Sequence, residues 1–361
     1  MAADELASRL GTEAEPFLLD VREPDEVTAW PMPRARNIPL GLLGEHLGDL
    51  PVDREIVVLC ASGNRSRAAS HALARAGFQV ANLAGGMAAW GSVYDEAEVK
   101  VGSARIIQFR RRGKGCLSYL VGSGDEAFAL DVSLDIDRYA QAAAANGWHI
   151  TRVLDTHLHA DHLSGSRLLA LRTGASLHLN PADTFDFDYV PLSHEEQLSL
   201  PGDTVVSVAT LHTPGHTQGS TLFRVDAPGE RAALITGDTL FVDGVGRPDL
   251  AERAEEFARN LHRSLHQHVL GLPDDTLVLP AHYGSEVQVC PGVPVAASIG
   301  ELRRSLEPLS LDEDAFVAWA ASRVTPRPPN YEDIVTANMG RSPQDALALR
   351  HLESGPNRCS A

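Results

Sequence analysis

"THLHADHLSG", residues Thr156 to Gly165, places His157, His159, Asp161 and His162 within one short run. A polar surface turn could read this way, but imidazoles and carboxylates are also the ligands that suit zinc and ferrous iron. The surrounding pattern decides between the two. The apolar run "ITRVLD" leads into His157, and "TVVSVATLHT" leads into "PGH" with His216. "AALITGD" ends at Asp238 and "TLVLPAH" ends at His282. Short apolar runs bounded by turn residues read as buried strands. Strands side by side in one sheet deliver their ends to one rim, so four distant segments can meet around one cation.

The chain has 361 residues, which points to two domains rather than one core. Its hydrophobic content of 43% and charged content of 22% are those of a soluble globular protein. The net charge of −17, from 31 Lys+Arg against 48 Asp+Glu, would repel a phosphate backbone and argues against nucleic-acid binding. A basic exception, "RRRGK" at Arg110–Lys114, lies between two strand-like runs and reads as a solvated hairpin tip. No run approaches the ~20 apolar residues that span a bilayer, and "MAADELASRL" has no secretory pattern. Four scattered cysteines, Cys60, Cys116, Cys290 and Cys359, do not form a disulfide framework and suit a reducing cytoplasm. Only Cys60 has surroundings that suggest chemistry.

The first segment, to about Tyr94, reads as a small α/β unit. It has strands in "PFLLDVR" and "EIVVLC", a helix from Ser66 to Phe78, and a further strand and turn in "QVANLAGGMAAW". "DEAEVK", Asp95–Lys100, reads as a polar joint. Strands follow in "ARIIQF", "CLSYLVG" and "AFALDVS", then a helix closed by Asn146-Gly147. A helix over Glu252–Val269 carries Phe257, Leu261, Leu265 and Val269 four apart, a stripe for a sheet face. Its His262, His266 and His268 read as solvated. The proline-rich stretch beyond Thr325 precedes helix-like sequence, and no internal repeat is visible.

H-x-H-x-D-H, then T-P-G-H, a strand-ending G-D and a strand-ending P-A-H follow the order and spacing of the metallo-β-lactamase superfamily. The chain resembles that superfamily from about Val101 to Arg341. The resemblance implies an αββα sandwich with its site at the open edge. In glyoxalase II-type hydrolases the matching residues bind two ions, one at His157, His159, His216 and Asp238, the other at Asp161, His162, Asp238 and His282. In the persulfide dioxygenases the same letters hold one iron through His157, His216 and Asp238. "GDTLFVDGVGRPDL" after Asp238 resembles the second branch, in which the residue matching Arg247 faces the thiol carrier of the substrate. Arg247 could equally brace its loop through Asp249. The branch usually reads P-A-H-D-Y, whereas this chain has "PAHYG", one residue shorter, around His282 and the expected substrate contact Tyr283.

In the first segment "LCASGNRS" puts Cys60 at a strand end before a glycine-containing loop and a helix start near Ser66. Such a loop aims backbone N–H groups at the sulfur, which favours thiolate, the nucleophilic form. With "LLDVREPDE", "NIPLG" and "LAGGMAAW", the segment resembles a single-domain rhodanese. Four residues separate Cys60 from Arg65, the sulfurtransferase loop length; related phosphatases use five. Cys60 and Arg65 are therefore the expected catalytic pair, with Asp20 and Arg22 holding the fold. "WPMPRARNIPL" departs from the rhodanese pattern before Asn37.

The expected architecture is α/β: a rhodanese-like α/β domain at 1–95, an αββα metallo-β-lactamase-fold domain at 101–341, and a tail at 342–361. A rhodanese handles sulfane sulfur and a persulfide dioxygenase consumes it. The resemblance thus implies a fusion acting in sulfide oxidation, with one Fe(II) per chain, O2, a thiol persulfide and sulfite or thiosulfate as small-molecule partners. No nucleic-acid or membrane partner is expected, and a cytoplasmic homodimer is. Two other readings stand beside it: a binuclear-zinc thioester hydrolase of glyoxalase II type, and a sulfur carrier or sensor with an inert metal domain. Glutathione, a bacterial substitute and coenzyme A are all open as the carrier.

Overall fold

Phe17–Asp20 and Ile56–Leu59, the two apolar runs of the first segment, pair in parallel at the centre of a four-stranded sheet. Arg36–Asn37 and Val80–Asn82 flank them. A computed structural model of the chain describes residues 1–202, 206–248, 253–323, 327, 330–342, 348–353 and 355. Asp20 and Arg22 are both buried and paired at 2.6 Å, and Arg22 also donates to the Trp30 carbonyl at 2.7 Å. That pair ties the first strand to the loop carrying the unusual "WPMPRAR" sequence.

The rest of the chain forms two sheets face to face. One has seven strands, from Val190–Pro191 at one edge to Tyr94–Val101 at the other; the second has six, from Gln197–Leu200 to Ala297–Ser298. Ile106, Tyr119, Phe128, Phe223, Val225 and Ile235 fill the space between them. Helices Ile136–Ala145 and Ser166–Thr173 bury Tyr139, Ala143, Leu169 and Ala170 on the outer face of the first sheet. On the second sheet's outer face, Ala254–Ser264 continues as a π-helical turn, Leu265–Val269. Its Leu261, Leu265 and Val269 sit in that layer's core, as the four-residue spacing requires. This is the αββα sandwich. Among the described residues no helix is long and apolar enough to cross a membrane.

Two readings of the junction change. The "DEAEVK" stretch is itself strand, paired along its length with Ala104–Arg111. It looks polar because Glu96, Glu98 and Lys100 face out while Ala97, Val99 and Val101 face in. The chain therefore hands over from one domain to the next through a strand. The "RRRGK" tip is not solvated. Arg110 is 0% exposed and Lys114 4%. Asp95 takes Arg110 and Arg112 at 2.7 Å each, and the Trp30 indole N–H donates to the Gly113 carbonyl at 2.8 Å. A Cβ on Gly113 would lie 2.4 Å from the Trp90 carbonyl oxygen, so only glycine lets the tip press so closely against the first domain. Arg110 also donates to the Cys290 and Val293 carbonyls and Lys114 to that of Glu353, so segments far along the chain cover these cations, which local sequence does not reveal.

Candidate metal centre and sulfur cradle

The loop after strand His149–Leu154 carries His157, and the turn after Val206–His212 carries His216. Asp238 follows Ala233–Gly237. One ligand atom from each lies within 4.8 Å of the other two, and all three side chains are buried. Their protonation follows from their partners. A carboxylate only accepts, so the Thr156 hydroxyl, 3.0 Å from Asp131, must donate to it. That leaves the Thr156 oxygen to accept from His157 Nδ1 at 2.9 Å. His216 Nδ1 likewise donates to the Arg247 carbonyl at 2.9 Å. Both Nε2 atoms are then lone-pair acceptors. They point at Asp238 Oδ2, from 3.7 Å for His157 and 3.3 Å for His216. None of these three buried atoms has a hydrogen-bond partner. Three buried acceptors with no hydrogen between them cost free energy unless a cation joins them. The donor set, two imidazoles and a carboxylate, is one that ferrous iron and zinc both take.

Burial pushes His157 well below its ordinary value, with His159 adding to the shift, and burial lowers His216 too. Both are thereby held in the neutral form that binds a metal. A Cβ on Gly246 would sit 1.8 Å from the Asp238 carbonyl oxygen, so glycine is needed where the following loop closes over this residue.

The other candidate residues group differently. His159 turns its Nε2 to Asp131 at 3.1 Å and joins Asp131 and Asp155. Burial opposes its protonation, but those carboxylates outweigh burial and raise it to about 9. Asp161, His162 and His282 gather with Cys116. Asp161 is their hub, with His162 Nδ1 at 3.2 Å, His282 Nε2 at 2.9 Å and the Cys116 thiol at 3.4 Å. His282 Nδ1 also reaches Asp238 at 2.6 Å, linking this hub to the first group. Despite the shortened "PAHYG", His282 thus stands beside the other candidates.

Arg247 is 1% exposed, and its carbonyl orients His216; Asp249 lies outside the described residues, as does Cys359. Tyr283 is buried, and its N–H donates to the Gly115 carbonyl at 3.1 Å. The helix residues His262, His266 and His268 join none of the cation-competent groups found among the described residues.

Several supporting residues escaped sequence reading. Asp131, at a strand end in "FALDVS", had the same signal as Asp238. Asp183 accepts from Leu158 N at 2.9 Å and Gly219 N at 2.8 Å, strapping the two histidine loops together. Asn338 donates to the carbonyls of His159 and His162 at 2.9 Å each. Glu353 accepts from Leu163 N at 2.8 Å and from Arg111 at 3.0 Å. Nothing in the local sequence at either of these last two marks its distant partner.

In the first domain Cys60 is 1% exposed. Gly63 N and Ser66 N donate to its sulfur at 3.2 and 3.3 Å, and the Ser66 hydroxyl lies at 3.2 Å. Burial raises the thiol, but bonds from the Ser66 hydroxyl and the loop amides outweigh it, leaving Cys60 below the ordinary value. Arg65 is turned to Glu26, with two contacts of 2.6 Å.

Comparison with known proteins agrees with this geometry. The model for the metallo-beta-lactamase superfamily matches residues 111–282, and that for the rhodanese-like domain matches 2–92. The chain belongs to the metallo-β-lactamase superfamily of metal-binding enzymes and carries a rhodanese-like domain at its N-terminal side. Within the superfamily it is ETHE1-like. It is 30% identical over 241 residues to the human mitochondrial persulfide dioxygenase ETHE1, covering 62% of this chain and 82% of that one. The crystal structure of ETHE1 from Myxococcus xanthus superposes with a TM-score of 0.56 at 28% identity, over 65% of this chain and 97% of that one. A hydroxyacylglutathione hydrolase from Polaromonas sp. is 34% identical over 171 residues, 46% of this chain and 61% of that one.

Proposed function

We propose that the chain is an iron-dependent persulfide dioxygenase coupled to a sulfurtransferase, acting in sulfide oxidation in the cytoplasm. In this reading residues 1–95 form the sulfurtransferase, 101–341 the dioxygenase and 342–361 a tail, in a homodimer. The overall reaction is R–S–SH + O2 + H2O → R–SH + sulfite + two protons. The sulfane sulfur loses four electrons and dioxygen takes them up. His157, His216 and Asp238 would hold the ion, whose chemistry is a redox-active centre with positions left over for persulfide and dioxygen. The observation that supports this best is the set of three partnerless buried acceptors, because one cation satisfies all three.

The protein's own groups do the positioning. Asp131 and Thr156 fix the His157 tautomer, and the Arg247 carbonyl fixes that of His216. His282 holds the second oxygen of Asp238, so the carboxylate presents one oxygen to the centre. Deep burial excludes bulk water. Arg247 and Tyr283 are assigned to the thiol carrier. At Cys60 the thiolate would attack the outer sulfur of the persulfide, breaking its S–S bond to give Cys60–S–S⁻ and releasing the carrier as R–SH, and would then pass that sulfur to sulfite as thiosulfate with return of the thiolate, or run in reverse. Arg65 assists once it leaves Glu26.

The hydroxyacylglutathione hydrolase relative favours a second reading, a binuclear-zinc thioester hydrolase using His159, Asp161, His162 and His282 as well. His159 Nδ1 is also buried without a hydrogen-bond partner, as this reading needs; against it, Asp161 already has His162, His282 and the Cys116 thiol around it. The test is oxygen uptake by protein purified without air, loaded with iron and given a thiol persulfide. Persulfide-dependent uptake with about one iron per chain is expected. No uptake, with thioester hydrolysis by a two-zinc form, would replace the proposal.

A further inference from the structure

The strand Val80–Asn82 ends beside the cysteine loop of the first domain. The turn that follows is fastened to that loop: Met87 N donates to the Cys60 carbonyl at 2.9 Å and Ala88 N to that of Ala61 at 3.1 Å. A Cβ on Gly86 would fall on the Cys60 carbonyl oxygen, so glycine is what lets the two segments close. Asn82 is thereby held within reach of Ser66, whose hydroxyl donates to its Oδ1 at 2.6 Å. The same hydroxyl oxygen lies 3.2 Å from the Cys60 sulfur.

One hydroxyl thus stands between a carboxamide and a sulfur, and it has a single proton to give. The amides of Gly63 and Ser66 already donate to the sulfur. A Cys60 thiol therefore gives its own proton to Ser66 Oγ, and Ser66 gives its proton to Asn82. A thiolate only accepts. The Ser66 proton then turns to the sulfur, and Oγ is left to accept. A carboxamide serves both cases, because a half-turn about its terminal bond exchanges the acceptor Oδ1 for the donor Nδ2. Asn82 is half-buried, and its Nδ2 has no hydrogen-bond partner among the described residues, so nothing holds it in one orientation. The charges nearby are engaged elsewhere: Arg65 with Glu26, and the Met1 ammonium with the Asn82 backbone carbonyl at 3.0 Å.

We propose that Asn82 is a positioning residue for sulfur transfer at Cys60. Its carboxamide turns between accepting from Ser66 and donating to it, so that the Ser66 hydroxyl follows the charge on the sulfur. The inference deepens the sulfurtransferase reading above and rests on it for its part in turnover.

The measurement is the pH midpoint of iodoacetamide modification at Cys60, followed by peptide mass spectrometry on the full-length protein. Asn82→Leu neither accepts nor donates. It orphans the hydroxyl proton of the thiol form while the thiolate keeps its donor, so the midpoint should fall by roughly half a pH unit, the worth of one hydrogen bond. Asn82→Asp only accepts and sets a second anion on the hydroxyl, so the midpoint should rise by about one unit. In a Ser66→Ala background the shift from Asn82→Leu should vanish, the coupling that a double-mutant cycle reads. Midpoints unmoved by either variant, shifts of one sign in both, or a leucine shift that persists without the Ser66 hydroxyl would overturn the relay.

Single-turnover transfer from glutathione persulfide, read as one sulfur added to Cys60, tests the part in turnover. Below the midpoints Asn82→Asp should slow it about threefold, a tenfold loss of thiolate being half offset by a more basic sulfur. An unslowed rate would overturn that part. Opposed, Ser66-dependent midpoint shifts with no sulfur added to the wild type would leave the relay standing and remove the sulfurtransferase.

Discussion

Thr156 stands between Asp131 and His157, its hydroxyl 3.0 Å from the carboxylate and 2.9 Å from Nδ1. The carboxylate thereby fixes, through one hydroxyl, which nitrogen of His157 is free for a metal. Thr156→Val keeps the shape and removes the relay. Metal affinity should fall roughly 10- to 100-fold, the usual effect of losing a ligand's outer hydrogen bond. Competition with a chromophoric chelator measures it; unchanged affinity would show that burial alone orients the ring.

Removing the metal should destabilise the fold, since it leaves the Nε2 atoms of His157 and His216 and the Oδ2 atom of Asp238 buried and facing one another. Chelation is expected to lower Tm, and about one equivalent of ferrous iron or zinc should restore it. His216→Ala should abolish the response. A titration that needs two equivalents would favour the hydrolase reading.

The Cys60 thiol lies below its ordinary value because donors from the loop outweigh burial. A depressed thiol is ionised at lower pH, so iodoacetamide modification should reach its half-maximal rate below pH 9. Ser66→Ala removes a hydroxyl 3.2 Å from the sulfur and should move that midpoint upward, slowing modification near pH 7. A midpoint unmoved by the substitution would assign the shift to the amides of Gly63 and Ser66.

Gly113→Ala places a methyl against the Trp90 carbonyl. Overpacking of this kind costs about 1–3 kcal/mol, and the strain falls at the domain contact. Lower Tm and faster proteolysis around Gly91–Lys100 are expected, with Cys60 reactivity unchanged.

Glu353 joins Arg111 and the Leu163 amide, where the C-terminal part of the chain meets the metal loop. Glu353→Ala strips a charged partner from a largely buried arginine and should cost about 2 kcal/mol. Hydrogen exchange should quicken at Leu163 and across Tyr331–Asn338. Protection unchanged at Leu163 would show that the hydrophobic cluster of Leu134, Leu163, Ile334 and Leu349 suffices to hold the segment.

What could be read in the sequence was what local pattern carries. His157, His216, Asp238 and His282 were legible because each follows an apolar strand, and a sheet brings strand ends together. Cys60 was legible because its loop and helix start are contiguous. The strap through Asp183 and the covering groups Asn338 and Glu353 were not, since each acts on a backbone group far along the chain. Cys116 looked inert because nothing in "GKGCLSY" announces Asp161 beside it. The basic tip was misread for the same reason: whether a turn is wet depends on what folds over it.

The strand that carries the chain between domains leaves no slack. The Cys60 sulfur is buried within its own loop, and the connecting strand is paired along its length, so the described structure offers no hinge for a swinging arm. On the proposed reading, sulfur passing between the two sites would be carried by a molecule that leaves one and diffuses to the next, so the pool of free carrier, rather than a moving arm, would govern how closely the two reactions keep pace.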